Sequence, residues 1–281
     1  SGAAAPTARR LVKVEAIAAD FTAHGHRASV LPLDVADPDT IAPTFDQIQA
    51  TLGPISILSN NAGVGGDGMA LDMTIEKFNE TFDVNVRGVY FAAQAAAKLM
   101  LDSGVAERGD ARIVNIGSVA GQTNLPGRST YCGSKAAVAM MTRVMAREWA
   151  RRGIAVNAIG PGYILSGIND EWFETEGGAA QLKRFPRRRL MQESDLDAAL
   201  LMLAGPAGRA ITGSLFIIDD GQTHPMRYLN PQMRTAARGL GFGGFATYAV
   251  LRGTQASDRT KNPRPSFLVS VPDQAQAESY L

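Results

Sequence analysis

The sequence predicts an α/β fold built around a mostly parallel sheet. Short apolar runs rich in β-branched residues alternate along the chain with longer runs whose apolar residues recur at helical spacing. This alternation is typical of strands that are joined by helices rather than by hairpins. The length of 281 residues suits one α/β domain with a sizeable core and some additional chain.

The amino-acid composition argues against several classes of binding partner and of functional site. The charges are nearly balanced, with 28 Lys+Arg and 27 Asp+Glu, so net charge indicates no nucleic-acid or membrane-surface partner. The single cysteine, Cys132, excludes an internal disulfide framework and favours a reducing cytoplasm. Three scattered histidines and one cysteine lack zinc-site spacing, so we expect no metal site. No apolar run reaches about 18 residues, so we expect no membrane span.

Periodicity places the elements of the first hundred residues. It predicts a strand end and helix over Thr7–Phe21, a strand over Arg27–Leu33, a helix over Pro38–Leu52, a strand over Ile55–Ser59 and a long helix over Thr74–Leu101. We expect the long helix to be interrupted near Asn85, because the Asn amide competes for backbone hydrogen bonds. A small apolar face of this helix suits either internal packing or a dimer interface, and it consists of Val89, Ala92, Ala93, Ala96 and Ala97.

The middle of the chain brings together three groups that suit proton transfer. A buried strand over Ile113–Gly117 ends at Ser118, and a helix begins near Tyr131. Residues four apart share a helix face, so Tyr131 and Lys135 can point into one space. A cation beside a phenol favours the phenolate, so Lys135 is expected to lower the pKa of Tyr131. Ser118 can donate a hydrogen bond to a carbonyl oxygen as that oxygen gains negative charge.

Three further elements complete the predicted domain. They are a strand over Ile154–Ile159, a helix over Glu193–Leu203 and a strand over Ile211–Ile218. Residues 165–190 carry Trp172, Phe173 and a glycine pair, a composition suited to covering an apolar ligand. The arginines of this segment suit either an acidic substrate or a solvated turn, and they are Arg184, Arg187, Arg188 and Arg189.

Five motifs follow one another in an order that resembles the short-chain dehydrogenase/reductase family, classical type. They are Asn60-Asn61-Ala62-Gly63, Val84-Asn85-Val86, Ser118, Tyr131 with Lys135, and Pro161-Gly162. The resemblance covers about Thr7 to Gln222 and implies a Rossmann-like doubly wound parallel sheet. It also implies a catalytic domain over residues 1–222 and a C-terminal extension over residues 223–281, which we expect to pack on the domain or on a neighbouring subunit.

The sequence departs from the family pattern at two places. A dinucleotide-binding fold opens with an apolar strand, a glycine-rich turn and a helix that faces the pyrophosphate. Ser1–Pro6 contains one glycine, and a first βαβ unit of about 30 residues is missing ahead of Thr7. We expect either that this unit lies outside the 281 residues or that an ordinary phosphate cradle is lacking. Near the other end, Asp219-Asp220-Gly221 stands where the family usually has Asp-Gly-Gly.

The resemblance implies roles for the four candidate catalytic residues. Tyr131 is expected to transfer the proton, and Ser118 to orient and polarise the substrate oxygen. Lys135 is expected to acidify Tyr131 and to hold the nicotinamide ribose. A backbone carbonyl freed at Asn85 is expected to hold a water that relays protons to Lys135.

The resemblance also implies a nicotinamide cofactor. A basic Arg9 at a strand end tilts the expectation from NAD to NADP, because a guanidinium pairs with the extra phosphate. A solvated arginine is the alternative. Asp34 and Val35 are expected at the adenine, with an N-cap or turn role as the alternative for Asp34. The other implied cofactor contacts are Asn61, Ala62, Gly63, Tyr131, Lys135, Pro161, Gly162, Ile164 and Ser166.

We therefore expect an NAD(P)-dependent oxidoreductase that interconverts a secondary alcohol and a ketone, such as a 3-oxoacyl thioester reductase or another carbonyl reductase. A small carbonyl or alcohol substrate and a homodimer or homotetramer are the expected partners. The alternative is a catalytically silent protein of the same fold that serves binding or scaffolding. The missing first βαβ unit keeps this alternative open.

Overall fold

Parallel strands form the frame of the structure. The computed structural model describes residues 2–9, 11–165 and 170–223. The strands within these residues are β1 (Ala3–Ala4), β2 (Thr7–Ala8), β3 (Arg27–Ala28), β4 (Leu31–Pro32), β5 (Ile57–Asn60), β6 (Ala111–Ile116), β7 (Ile154–Pro161) and β8 (Leu215–Ile218). All five strand pairings are parallel, as the sequence predicts.

Helices connect the strands, and side-chain caps fix where several of them begin. In order they are α1 (Leu11–Ala23), α2 (Pro38–Leu52), α3 (Ile75–Phe82), α4 (Val89–Asp102), α5 (Ser129–Trp149), α6 (Asp170–Phe173), α7 (Glu176–Arg184) and α8 (Asp197–Ala204). Asp37 caps α2 by accepting a hydrogen bond from the backbone N–H of Asp39 at 3.1 Å. Thr74 caps α3 by accepting one from the N–H of Lys77 at 3.3 Å.

The sheet occurs in two parts. Strands β5, β6, β7 and β8 lie side by side in that order, while β1 pairs with β3 and β2 pairs with β4. The strand predicted over Arg27–Leu33 is split, because Pro6, between β1 and β2 on the neighbouring segment, has no N–H for the ladder. The strand predicted over Ile211–Ile218 begins later, because Gly213 has a φ of 76° and turns the chain.

Helices cover both faces of the four-stranded sheet. On one face Ile113 of β6 packs in a buried cluster with Met100 of α4. On the other face Val114 of β6 packs with Leu203 of α8. Since successive side chains of a strand point to opposite faces, β6 contributes to both layers of the core. This is the doubly wound arrangement that the sequence predicts.

The small apolar face of α4 packs inside the chain. Ala93 and Ala96 are 0% exposed, and the face lies in the same cluster as Ile41 and Phe45 of α2. Small side chains allow the two helices to approach closely. Of the two alternatives left by the sequence, internal packing is therefore correct for this face.

The long helix predicted over Thr74–Leu101 is interrupted, as expected. A π-helical turn, Asp83–Gly88, separates α3 from α4 and contains Asn85. A Cβ on Gly88 would lie 2.7 Å from the Cβ of Val35, so only glycine lets the chain that follows β4 lie against this turn. Through this contact, the π-helical turn connects the chain that follows β4 to the centre of the molecule.

Some expectations fall outside the described residues. These include Ser166 and residues 224–281, which make up nearly all of the expected C-terminal extension. Within the described part of the chain, no helix is long and apolar enough to cross a membrane. The same residues contain no group of three or more His, Cys, Asp or Glu side chains placed to hold a metal ion.

Candidate active site

Ser118 lies in the site because it follows the carboxyl end of β6. Ser118 has an extended backbone, with φ −170° and ψ 155°, and its Oγ accepts a hydrogen bond from the N–H of Ala120 at 3.1 Å. The short turn that follows packs on α5, where a Cβ on Gly121 would lie 2.9 Å from the carbonyl carbon of Lys135. Only glycine permits this contact, which holds Ser118 beside the first turns of α5.

Tyr131 and Ser118 come together as the sequence predicts, but the pKa of Tyr131 moves in the other direction. Burial raises this pKa above its usual value of 10.0, because the phenolate is poorly solvated. A hydrogen bond from Ser118 and the positive charge of Arg128 lower the pKa of Tyr131 by less. The expected net lowering of the Tyr131 pKa is therefore wrong, because burial outweighs the groups that favour the phenolate, and Tyr131 is a protonated phenol at neutral pH.

Lys135 lies below Tyr131 on the same helix face and is almost fully buried. Its Nζ donates a hydrogen bond to the backbone carbonyl of Ile116 at 2.9 Å and lies 5.8 Å from the centroid of the Tyr131 ring. Burial lowers the pKa of Lys135 from 10.5 to about 8, because the charged ammonium is desolvated. The two groups thus share one space, while the cation is fixed to the end of β6.

Asn85 connects the π-helical turn to the helix of the two candidate catalytic side chains. Its amide forms two hydrogen bonds with the backbone of Val64, at 2.8 and 2.9 Å, and donates a third to the Ser134 hydroxyl at 3.0 Å. Ser134 in turn donates to the backbone carbonyl of Tyr131 at 2.7 Å. Sequence reasoning missed Ser134, although its position three residues after Tyr131 is the spacing at which a serine bonds back to a helix carbonyl.

The residues after β5 lie beside this cluster. Asn60 ties two neighbouring strands by donating to Asn115 Oδ1 at 2.9 Å, which is a structural role. Asn61, Ala62 and Gly63 are exposed. A Cβ on Gly63 would lie 3.5 Å from Lys135 Nζ, so the exposed backbone of Gly63 borders the ammonium without a side chain between them. We call this backbone surface the open floor at Gly63.

The predicted adenine end lies on the N-terminal strand pairs. Arg9 is exposed directly after β2. The N–H of Leu33 donates to the carbonyl of Ala8 at 3.3 Å, which places Arg9 and Asp34 at the carboxyl ends of neighbouring strands. One oxygen of Asp34 accepts from the N–H of Ala36 at 3.0 Å, so the turn role proposed as its alternative is present. Val35 packs against Gly88 of the π-helical turn.

The turn after β7 is held from two sides. The side chain of Gln222 bonds to the backbone of Tyr163 at 2.6 and 3.3 Å, beside Pro161 and Gly162. On the other side, Ile164 forms a parallel bridge with Met191. Since bonding groups alternate along an extended chain, the N–H of Ile164 points away from Met191 and takes no part in this bridge.

The segment beyond this turn is aromatic and carries paired arginines. Tyr163 lies edge-on to Phe173, with ring centroids 5.5 Å apart, and stacks on Phe185 at 5.6 Å. Arg187 and Arg189 both form ion pairs with Asp220, at 3.1 and 2.8 Å. Both guanidinium groups are therefore paired within the chain, which argues against an acidic-substrate site for them, while Arg187 is still 69% exposed, as a solvated turn requires.

The residues present fit the two ends of a nicotinamide dinucleotide. The open floor at Gly63 and the buried ammonium of Lys135 suit a ribose diol, and the Ile164 N–H suits a carboxamide. Arg9 and Asp34 suit the adenosine end. Ahead of α1, where the family pattern has a glycine-rich turn for the pyrophosphate, the described residues contain Gly2 as their single glycine.

Comparisons with known proteins identify the family of this chain. The family model described as enoyl-(acyl carrier protein) reductase matches residues 4–223. The 3-oxoacyl-[acyl-carrier-protein] reductase FabG of Staphylococcus aureus (strain Mu50 / ATCC 700699) is 32% identical over 209 residues, which are 74% of this chain and 82% of that protein.

Solved structures have the same fold. A short-chain type dehydrogenase/reductase from Mycobacterium marinum is 35% identical, with a TM-score of 0.73 over 79% of this chain and 85% of that one. A gluconate 5-dehydrogenase from Burkholderia cenocepacia J2315, in complex with NADP and tartrate, is 30% identical, with a TM-score of 0.72 over 78% of this chain and 84% of that one. The chain therefore belongs to the short-chain dehydrogenase/reductase family, of the classical type.

Proposed function

We propose that this chain is an NAD(P)-dependent oxidoreductase that interconverts a secondary alcohol and a ketone. One observation carries the proposal. The Ser118 hydroxyl, the Tyr131 phenol and the Lys135 ammonium converge at the carboxyl end of β6, with the open floor at Gly63 beside them. This is where an open parallel sheet binds its ligands.

Each side chain has its own role in the reduction of a ketone. The Ser118 hydroxyl donates a hydrogen bond to the carbonyl oxygen and favours the charge that develops there. Tyr131, held as a phenol by burial, gives its proton to the same oxygen. The nicotinamide supplies the hydride to the carbonyl carbon when it is bound. Lys135 holds the ribose and stabilises the phenolate that remains, and the carbonyls of the turn around Asn85 bind the water that reprotonates it.

NADP is the proposed cofactor, with NAD as the alternative. Arg9 is exposed after β2, beside the strand that ends at Asp34, where its guanidinium can pair with a 2′-phosphate. The gluconate 5-dehydrogenase of B. cenocepacia, which has the same fold, is described in complex with NADP. Replacing Arg9 by Gln should weaken NADPH binding but leave NADH binding unchanged.

The substrate is proposed to be a small carbonyl compound, with a 3-oxoacyl thioester as the first candidate. The FabG relative carries this activity in its name. Tyr163 and Phe173, which are partly exposed and rest on the buried ring of Phe185, offer an apolar surface for a chain or ring next to the reacting carbonyl.

Two measurements test the proposal. Nicotinamide fluorescence during titration with NADPH and with NADH reports cofactor binding. Oxidation of the bound cofactor is then followed with 3-oxoacyl thioesters, simple ketones and keto sugars. Saturable binding followed by ketone-dependent oxidation is the expected result. The absence of a saturable signal with either cofactor would favour a silent binding or scaffolding protein instead.

A homodimer or homotetramer in the cytoplasm is also proposed. Exposed apolar side chains occur on α4, where Tyr90 is 41% exposed, and on α5, where Met140 and Val144 are 55% and 47% exposed. Pairing of these helices with those of a second copy would bury them. Light scattering should give a multiple of the monomer mass, and Val144→Glu should reduce it. Cell fractionation tests the compartment, for which a single cysteine is the only support.

A further inference from the structure

The turn after β8 carries an aspartate in an uncommon conformation. Asp219 folds this turn by accepting hydrogen bonds from the N–H groups of Gly221 and Thr223, at 3.0 and 2.9 Å. Asp220 has a φ of 53°, in the left-handed region that glycine adopts at lower cost. Such a conformation persists where the surrounding structure offsets its cost.

The compensating interaction is an ion-pair cluster. Arg187 Nε lies 3.1 Å from one oxygen of Asp220, and Arg189 Nε lies 2.8 Å from the other. The Asp220 side chain is only 11% exposed, so its charge is screened less than that of a surface carboxylate. Arg189 also contacts Asp195 at 3.2 Å. Each guanidinium therefore binds a separate oxygen of the same largely buried carboxylate.

The same turn holds a second part of the chain. Gln222 binds the backbone of Tyr163 through both ends of its amide. The N–H of Leu165 donates to the carbonyl of Met191 at 2.9 Å, and the N–H of Met191 donates to the carbonyl of Tyr163 at 3.0 Å. We call residues 163–165 and 185–191 the paired stems. Both stems are attached to residues 220–222, one through Gln222 and the other through Asp220.

The paired stems carry side chains next to the candidate catalytic tyrosine. Phe185, in the second stem, is 6% exposed and stacks on Tyr163 of the first. Tyr163 follows the carboxyl end of β7, which pairs with β6 in parallel, so it lies at the same edge of the sheet as Ser118. Burial is the largest cause of the raised pKa of Tyr131, and Tyr163 is also among its causes. A shift of the stems would therefore move the wall that these two rings form beside the candidate site.

We propose that Asp220 is a positioning residue that fixes the paired stems, and with them the Tyr163–Phe185 wall of the site, by binding Arg187 and Arg189. The structural part of this inference stands by itself. Its consequence for substrate binding rests on the proposed function.

Amide hydrogen exchange of the whole chain tests the structural part. Asp220→Asn removes the charge while keeping the size of the side chain and its tolerance of a positive φ. Exchange at Leu165 and Met191 should become about tenfold faster in this variant, because the stems open more often. Exchange at Ile113 and Val114 of β6 should not change. Arg188→Gln is the matched control, because no ion pair of Arg188 is seen in the described part of the chain.

A second comparison asks whether the ion pairs themselves are responsible. The double variant Arg187→Gln/Arg189→Gln should accelerate exchange as much as Asp220→Asn, and combining all three changes should add nothing. Raising the salt concentration to about 0.5 M should weaken protection of the stems in the wild type only. Unchanged exchange in Asp220→Asn, an equal effect of Arg188→Gln, additive effects, or equal loss of protection in β6 would each overturn the proposal.

Kinetics separate this inference from the proposed function. If the chain reduces a ketone, Asp220→Asn should raise the KM for that ketone about fivefold and change kcat by less than about twofold. If the wild type reduces no ketone, the proposed function fails, while the exchange result still decides the role of Asp220. An unchanged KM together with faster exchange would limit the role of Asp220 to local order and overturn the link to the site.

Discussion

The Asn85 amide donates a hydrogen bond to the Ser134 hydroxyl across 3.0 Å, with both side chains fully buried. This bond joins the π-helical turn to α5 one residue before Lys135. Since Ser134 also donates to the carbonyl of Tyr131 at 2.7 Å, one hydroxyl links Asn85 to the backbone of the candidate proton donor. The alignment of Tyr131 and Lys135 therefore depends on the side chains of Asn85 and Ser134 as well as on the helix itself.

Ser134→Ala should reduce kcat about tenfold and destabilise the fold by about 1–2 kcal/mol, because a buried amide hydrogen of Asn85 loses its acceptor. Steady-state kinetics and urea unfolding measure the two effects. Ser129→Ala is the control, since Ser129 is exposed at the first position of α5. Equal behaviour of the two variants would contradict a positioning role for Ser134.

Tyr131→Phe should reduce turnover about a thousandfold, which is within the usual contribution of a general acid, and should leave the Kd of the cofactor within about twofold. The phenyl ring preserves the packing while the proton is lost. Tyr90→Phe is the control, because Tyr90 lies on the surface of α4. Turnover of Tyr131→Phe near the wild-type rate would mean that another group transfers the proton.

Lys135 should give the protein a stability that rises with pH. Its pKa is about 8 in the folded chain, against a usual value of 10.5. Between these values the unfolded chain binds more protons at Lys135, so the free energy of unfolding increases with pH. Relative to Lys135→Met, the wild type should gain up to about 3 kcal/mol from pH 8 to pH 10.5. Urea unfolding of both proteins at several pH values measures the difference, and a constant difference would refute the assignment.

Gly63→Ala should weaken cofactor binding about tenfold and change stability by less than about 1 kcal/mol. A Cβ at this position would lie 3.4 Å from Asn85 Oδ1 and 3.5 Å from Lys135 Nζ, close to ordinary contact distances. The methyl group therefore fits the folded chain but occupies the floor assigned to the ribose. Gly133→Ala is the control, because its Cβ would lie 3.8 Å from Phe82 on the other side of α5. Unchanged affinity in Gly63→Ala would remove Gly63 from the cofactor site.

Features that depend on neighbouring residues along the chain could be predicted from the sequence. The bounds of α2 agree with the prediction, because Asp37 and Pro38 are local start signals. The break at Asn85 was predictable from the poor fit of asparagine in a helix interior. Likewise, the spacing of Tyr131 and Lys135 was sufficient to place both in one space.

Features that depend on distant residues could not be predicted in this way. The pKa of Tyr131 rises because of burial, and the degree of burial depends on packing that no local pattern specifies. The ion pair of Arg189 with Asp220 joins positions 31 residues apart, so the arginines resembled a site for an acidic ligand. The split in the strand over Arg27–Leu33 originates in Pro6, which lies between β1 and β2 on the neighbouring segment.

The division of the sheet has a consequence for the order in which parts of the chain unfold. The N-terminal pairs share no ladder with β5 in the described residues, and they are joined to the rest by side-chain packing such as that of Val35 on Gly88. They should therefore form a cooperative unit of their own, which detaches at a lower free energy than the four-stranded sheet requires to unfold. Arg9 and Asp34 both belong to this less stable unit. A dinucleotide whose adenosine end is held by them would therefore have its two ends bound to parts of the chain that differ in rigidity.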